Sequence, residues 1–421
     1  MTDVPNDVGV RGTEMTNASK PPEQELESDR IAPNQRGISS VLVLAMGTFA
    51  VGTDAFILAA FLPSMAEGLH VSSSVAGLSM TIFTLTYAFF APVIATLTAR
   101  MSRRSLLVIA LIVLALANVI SATAPNFPIL MASRVLAAVG AAAFTPTAGA
   151  ASAALVRTEL RGRALAVVIG GLTIATALGV PIGNLANLWL GWRAALVLVS
   201  IVSLVAAVSL FVSLPKLPGS PPVELRRRLA ALRYPGVLTI LPITILGMAA
   251  CYTPYAYSVL VLHALGVAPK AMVIMLFLYG LGAVIGNLFS GFATDGWGPI
   301  RTLTTTYVVM FASLSALGVM AISGSIQVLV CLLVFLWGAS SFAQTAAQQH
   351  RLIAVAPTHI PLVISLNSSA IYLGIGLGTL LGGIALPMGI AVILGLGGGL
   401  AVFTLLILRI TNMLDYSVVT D

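Results

Sequence analysis

SSVLVLAMGTFAVGTDAFILAAFL, residues 39–62, is a run of apolar and small residues in which Asp54 is the one charge. At about 1.5 Å per residue it is long enough to cross a hydrocarbon core of about 30 Å as a helix. A carboxylate in such a helix costs about 2.5–3.5 kcal/mol on insertion scales, so it is expected to face a cavity or a partner rather than lipid. Further runs of similar length fall near 75–98, 105–123, 127–150, 163–187, 193–214, 235–262, 271–294, 301–322, 326–349, 360–385 and 388–411, making twelve in all. The whole composition agrees: 58% hydrophobic and 8% charged, where a soluble domain is about a quarter charged. The runs are too long and too continuously apolar for the alternating strands of a barrel. The fold class that follows is an all-α membrane protein with twelve transmembrane helices.

Lysine and arginine give the expected orientation. With the amino terminus inside, the inner loops hold Arg100, Arg103 and Arg104, then Arg157, Arg161 and Arg163, then Lys216, Arg226, Arg227, Arg228 and Arg233, and later Arg301 and Arg351, while the outer loops hold Arg193 and Lys270. That asymmetry places both termini in the cytoplasm. The net charge of +7 is accounted for by topology and an anionic inner leaflet, with no nucleic acid implied. Residues 1–38 are polar and acidic and are expected to form a disordered cytoplasmic tail without a signal peptide, with Met15 an alternative start. Cys251 and Cys331 lie in apolar runs without metal or redox spacing and are expected to fill the core. His263, His350 and His359 fall near loops.

The chain also repeats. An offset of 196 carries LHVS at Leu69 onto LGVA at Leu265, and an offset of 199 carries GVPIGN at Gly179 onto GTLLGG at Gly378. Two pseudo-symmetric six-helix halves, 39–214 and 235–412, are therefore expected, with a cytoplasmic linker at 215–234 and a tail at 413–421. Halves of this kind rock about a central site in transporters. The charged chemistry is not repeated, since Asp54 maps to Ala250 and Arg134 to Val330.

Arg134 is the other charge deep in an apolar run. Counted from the outer ends of their helices, Asp54 and Arg134 both lie about 10–12 Å below the surface, so they are expected to meet directly or through water. Two readings stand: an ion pair locking two helices, or an acid that carries protons. Gly47 and Ala50, seven and four residues before Asp54 on the same helix face, leave room for a neighbouring helix. In the fifth run, GGLTIATALGVPIGN (170–184), Gly179, Pro181 and Gly183 bend the helix and admit a close neighbour. This stretch reads equally as a packing seam or a moving part. Small faces recur at Gly374, Gly378 and Gly382.

In these motifs the chain resembles the twelve-helix drug:proton antiporters of the major facilitator superfamily, over residues 39–412, and most of all the branch of chloramphenicol exporters and arabinose-efflux-like permeases. Thr53–Pro63 is similar to that family's first-helix motif, RVLAAVGAAA from Arg134 to its fourth-helix motif, GVPIGN to its antiporter motif, and LTARMSRRSLL (97–107) to its loop motif, with Arg100, Arg103 and Arg104 at the basic positions. The resemblance implies a proton-transfer role for Arg134 beside Asp54, and a leak-limiting role for the fifth-helix motif. Ala99 stands where the loop motif carries an acid; the repeated loop, GFATDGWGPIR, keeps Asp295. Asp295 is expected near Arg161 and Arg163 in an outward-facing state.

Polar and aromatic residues inside the runs, namely Tyr87, Asn118, Tyr252, Tyr255, Tyr279, Gln344, Asn367 and Tyr372, are the candidates for a drug-sized cavity. With no buried acid in the second half, a neutral amphiphile such as an amphenicol is favoured over a cation. The function expected is proton-coupled efflux of a small hydrophobic drug or metabolite across a bacterial inner membrane. The expected partners are a small-molecule substrate, protons and lipid. No metal or organic cofactor is expected, the proton gradient supplying energy to a monomer. A sugar or nucleoside permease, energised or facilitative, is the alternative; a sensor without transport is disfavoured, and no GxxxxGK loop points to ATP-driven transport.

Overall fold

A computed structural model describes residues 23–219, 234–357 and 360–419. Twelve helices in it are long and apolar enough to cross a membrane. They are α1 (Ser39–Ala60), α2 (Ser73–Leu97), α3 (Arg103–Thr123), α4 (Phe127–Ala154), α5 (Arg161–Leu190), α6 (Trp192–Ser213), α7 (Gly236–Tyr255), α8 (Pro269–Trp297), α9 (Pro299–Ser323), α10 (Gln327–Val355), α11 (Leu362–Met388) and α12 (Ile390–Asn412). Among the described residues there is no strand, as expected where hydrocarbon leaves the backbone no partner but itself. Starts are set by local chemistry: Ser72, Ser102 and Asn126 accept from the backbone N–H three residues on and so cap α2, α3 and α4.

The internal repeat is present in the packing. In the first half α2 lies on α4, α3 on α4 and α6, and α1 on α5 and α6; six helices later, α8 lies on α10, α9 on α10 and α12, and α7 on α11 and α12. The two halves meet through α2 with α11 and through α5 with α8, which exchange under the same rule. Even the irregularities repeat: short helices at Leu62–Gly68 and Ser258–Ala264 follow α1 and α7, 196 residues apart. Small residues let the helices approach, and large apolar side chains such as Leu97, Phe292, Ile322 and Val328 are left on the outer surface, where lipid covers them.

The helices run further than the apolar stretches. The α-helix that becomes α1 starts at Glu23, and the last one continues to Val419. The expected tails therefore lie outside the described residues only at 1–22 and 420–421. Glu, Gln, Leu and Arg are good helix formers, and extending an existing helix orders one residue at a time. Residues 220–233 of the expected linker, and His359, are also outside the described residues. His350 and Arg351, expected in a loop, lie in the last turns of α10, where His350 is exposed and Arg351 is buried.

Candidate functional site

Two interruptions in the backbone bring the site together. In α1 the α-helix ends at Phe56 and a 3-10 turn follows at Ile57–Ala60, directly after Asp54. In α5 a π-helical turn occupies Ala175–Gly179, between α-helical segments Arg161–Ile174 and Val180–Leu190. Pro181 has no N–H for the carbonyl four residues back, and a wider turn absorbs the mismatch. The two irregular segments lie against each other. A Cβ at Gly179 would run into Thr53, and one at Gly183 into Ile57. Asn184 Nδ2 donates to the Ala60 carbonyl at 2.6 Å, holding the end of the 3-10 turn. Ala177, inside the π turn, meets Gly280 of α8, so this seam also touches the second half.

Arg134 reaches Asp54 from α4. Its Nη1 donates to Asp54 Oδ1 at 2.8 Å and its Nη2 donates to the Asp54 backbone carbonyl at 3.1 Å. Both side chains are completely buried. The guanidinium also lies over the ring of Phe83 from α2, 4.6 Å from its centre, a cation–π contact that strengthens when water is excluded. Gly47 lets the Phe144 ring of α4 pack against α1 about two turns below Asp54. The pair is only half satisfied: among the described residues Asp54 Oδ2 and Arg134 Nε have no hydrogen-bond partner. Buried polar atoms are nearly always paired, and these two are exceptions.

Above the pair, on the side of Phe56, aromatic residues from both halves close together. Phe56 packs on Tyr252 and Tyr255 with ring centres 5.7 and 6.5 Å apart, Tyr255 stacks on Tyr279 at 4.6 Å, and Trp337 stands edge-on to Tyr279 at 5.0 Å. The Tyr255 hydroxyl and Trp337 Nε1 have no partner among the described residues, whereas the Tyr279 hydroxyl donates to Ser341 at 3.0 Å. Tyr87 of α2 stacks on Tyr372 of α11, centre to centre 3.6 Å.

The remaining residues singled out in the sequence are distributed differently. Gln344 and Asn367 are bound inside the second half: Tyr307 donates to Gln344 Oε1 at 3.2 Å and Thr244 to Asn367 Oδ1 at 3.2 Å. Asn118 is not brought to the interface of the halves. It is buried in α3, which packs on α4 and α6, and donates to the Leu114 carbonyl of its own helix at 3.0 Å. Arg100 and Asp295 are exposed. Among the described residues Asp295 has no ion pair with Arg161 or Arg163, which are exposed too. Arg103 donates its backbone N–H to the Leu217 carbonyl, and Arg104 covers Phe211. Contacts between the halves concentrate from Tyr87 and Tyr372 toward the end away from these basic loops, as in Gly376 on Thr84 and Gly383 on Ser74.

Sequence reasoning did not single out Phe56, Phe83, Trp337 or Asn184, and it placed Arg351 in a loop. Asn184 was visible as the last residue of GVPIGN, an amide in an apolar run; no linear signal marks the aromatic rings, which are ordinary residues for a membrane helix.

A family model for the Major Facilitator Superfamily matches residues 44–350. The chain belongs to the major facilitator superfamily. The transporter is 32% identical over 353 residues to the inner membrane transport protein YdhP of Escherichia coli K12, covering 83% of this chain and 89% of that one. It is 34% identical over 308 residues to a chloramphenicol resistance protein of Streptomyces lividans, covering 72% of this chain and 77% of that one. Its fold is similar to that of the xylose transporter XylE in a partially occluded inward-open conformation, with a TM-score of 0.68 at 15% identity, covering 88% of this chain and 97% of that one. It is a multi-pass membrane transporter, and not an enzyme. Within this transporter the Asp54–Arg134 pair belongs wholly to the first half, while the aromatic cluster next to it is shared by both.

Proposed function

We propose that the transporter exports a small, neutral, aromatic or amphiphilic drug in exchange for protons, with Asp54 as the proton carrier and Arg134 as its gate. The observation that carries this reading is the fully buried pair, in which one carboxylate oxygen and one guanidinium nitrogen have no partner among the described residues. Protonating Asp54 removes the charge that holds Arg134, so the guanidinium turns to its other partners, and Phe83 and the Asp54 carbonyl are already in place to receive it. With the basic loops cytoplasmic, the halves are closed at the outer end. Opening that end separates Tyr87 from Tyr372 and Phe56 from Tyr252 and Tyr255, which couples access to the acid with access to the aromatic cluster. Each proton moved inward gains about 2.3 kcal/mol per 100 mV of membrane potential. The neutral aromatic substrate is supported by a cluster of rings in which two donors have no partner among the described residues, and by the name of the Streptomyces relative. Gly179, Pro181 and Gly183 then form the sliding contact of α5 on α1, and Asp295 pairs with Arg161 or Arg163 when the inner ends come together.

The test is drug accumulation in an efflux-deficient bacterium expressing the wild type or Asp54→Asn, screened over amphenicols and other hydrophobic antibiotics with and without a protonophore. Lower accumulation that is abolished by the substitution and by the protonophore is expected. Equal accumulation in both strains for every drug refutes the proposal and turns the search to polar solutes such as sugars and nucleosides.

A further inference from the structure

A groove of about 480 Å³ opens at the basic end of the first half, between the first turns of α3 and the end of α6. Its polar floor is formed by Arg104, Lys216, Ser102 and Ser105, and its walls by Ile109 and Phe211. The walls are 48% and 60% exposed and face outward from the bundle, where lipid chains run. The Arg104 guanidinium lies over the Phe211 ring, 4.6 Å from its centre, and its N–H groups suit a planar or tetrahedral oxyanion. The chain returning from α6 is tied to the start of α3, the Arg103 N–H donating to the Leu217 carbonyl at 3.0 Å, and this brings Lys216 to the same groove. Among the described residues neither Arg104 nor Lys216 has a carboxylate partner. The Ser102 hydroxyl donates to Ser105 at 2.8 Å, and the serine pair adds neutral hydrogen-bonding capacity beside the charges.

We propose that this groove is a binding site for one anionic glycerophospholipid, with the phosphodiester between Arg104 and Lys216 and an acyl chain along Ile109 and Phe211. A headgroup carrying only the phosphate charge fits two cations; a choline or ethanolamine group brings its own cation to the same place and is rejected by it. A hydroxylated headgroup such as glycerol reaches Ser102 and Ser105. The lipid source is favoured over a free phosphate because the cations and the lipid-facing apolar walls are continuous, so headgroup and chain are bound together.

The experiment is native mass spectrometry of the delipidated full-length protein titrated separately with dioleoyl phosphatidylglycerol, dioleoyl phosphatidylcholine and glycerol 3-phosphate. Arg104→Gln, Lys216→Gln and the double variant are compared with Arg301→Gln, an exposed cation of the other half. A basic residue near an anionic surface changes affinity roughly fivefold, so phosphatidylglycerol binding is expected to fall about fivefold in each single variant and about thirtyfold in the double. Phosphatidylcholine binding and the Arg301→Gln control are expected to stay at the wild-type level, and glycerol 3-phosphate to bind far more weakly than the lipid. Wild-type phosphatidylglycerol binding in the double variant overturns the proposal. So does an equal loss in Arg301→Gln, which would mean diffuse surface charge, or glycerol 3-phosphate binding as tight as the lipid, which would mean a soluble phosphate site. Where the double variant does not elute as a monodisperse species, Lys216→Gln, a change outside every helix, decides the matter alone.

Discussion

Consider replacing Arg134 by methionine, alone and together with Asp54→Asn. Methionine keeps the stem of the side chain but not the guanidinium, so the change removes the charge, its cation–π contact with the Phe83 ring and two hydrogen bonds, to Asp54 Oδ1 at 2.8 Å and to the Asp54 carbonyl at 3.1 Å. What remains is a fully buried carboxylate with no cation. Breaking a buried ion pair on one side costs about 3–5 kcal/mol, whereas replacing both partners by neutral groups of similar size is close to neutral. Arg134→Met is therefore expected to lose about 3–5 kcal/mol, Asp54→Asn, which strands the arginine, to be costly as well, and the double variant to recover most of the Arg134→Met loss, so the coupling between the two sites is at least about 2–3 kcal/mol. Unfolding in mixed micelles, followed by tryptophan fluorescence, measures the cycle. Additive losses in the double variant would refute the idea that the pair is the dominant interaction of both residues. The same three proteins separate the two roles of the pair. If it only locks two helices, the restored double variant transports; if Asp54 carries protons, the double variant is folded and inactive.

Other consequences of the packing are as direct. A Cβ at Gly338 would strike the Tyr279 backbone, which cannot rotate away, while a Cβ at Gly170 meets nothing. Gly338→Ala is thus expected to destabilise by about 1–3 kcal/mol, and Gly170→Ala to be neutral or stabilising by up to about 1 kcal/mol, measured in the same unfolding assay. Asn184→Ala strands the buried Ala60 carbonyl and is expected to cost about 1–3 kcal/mol; a loss within assay error would show that the 3-10 turn is held by other contacts. Thr84→Cys with Gly376→Cys, adjacent across the halves, is expected to crosslink under oxidation and stop transport until a reductant is added, and continued transport by the crosslinked protein would mean that α2 and α11 never part. Asp295→Asn is expected to raise thiol labelling of a cysteine introduced at the basic end of the cavity, by weakening the state in which the inner ends meet; unchanged labelling refutes that pairing.

Several of these features could be read without coordinates because they are linear properties. Twelve runs long enough to span a bilayer, the repeat at an offset of 196, and two charges too costly to leave in lipid follow from counting along the chain. The common depth of Asp54 and Arg134 follows from a helix rise applied to both. What a helix faces is a different kind of question. In a soluble protein the polar side of a helix reveals its orientation, but here nearly every face is apolar, so burial in protein and exposure to lipid leave the same composition. That is why Asn118 looked like a cavity residue and proved to lie among α3, α4 and α6, why Arg351 read as a loop cation and is buried in α10, and why no pattern announced the ring cluster of Phe56, Tyr252, Tyr255, Tyr279 and Trp337. The sequence by itself determined the spans, their pairing into halves and the residues too expensive to be idle. Only the tertiary structure decided that the acid and its arginine touch, that each has one polar atom without a partner among the described residues, and that the aromatic rings of two halves close beside them, because those facts depend on how the helices rotate and approach one another, and small residues on several faces permit more than one answer.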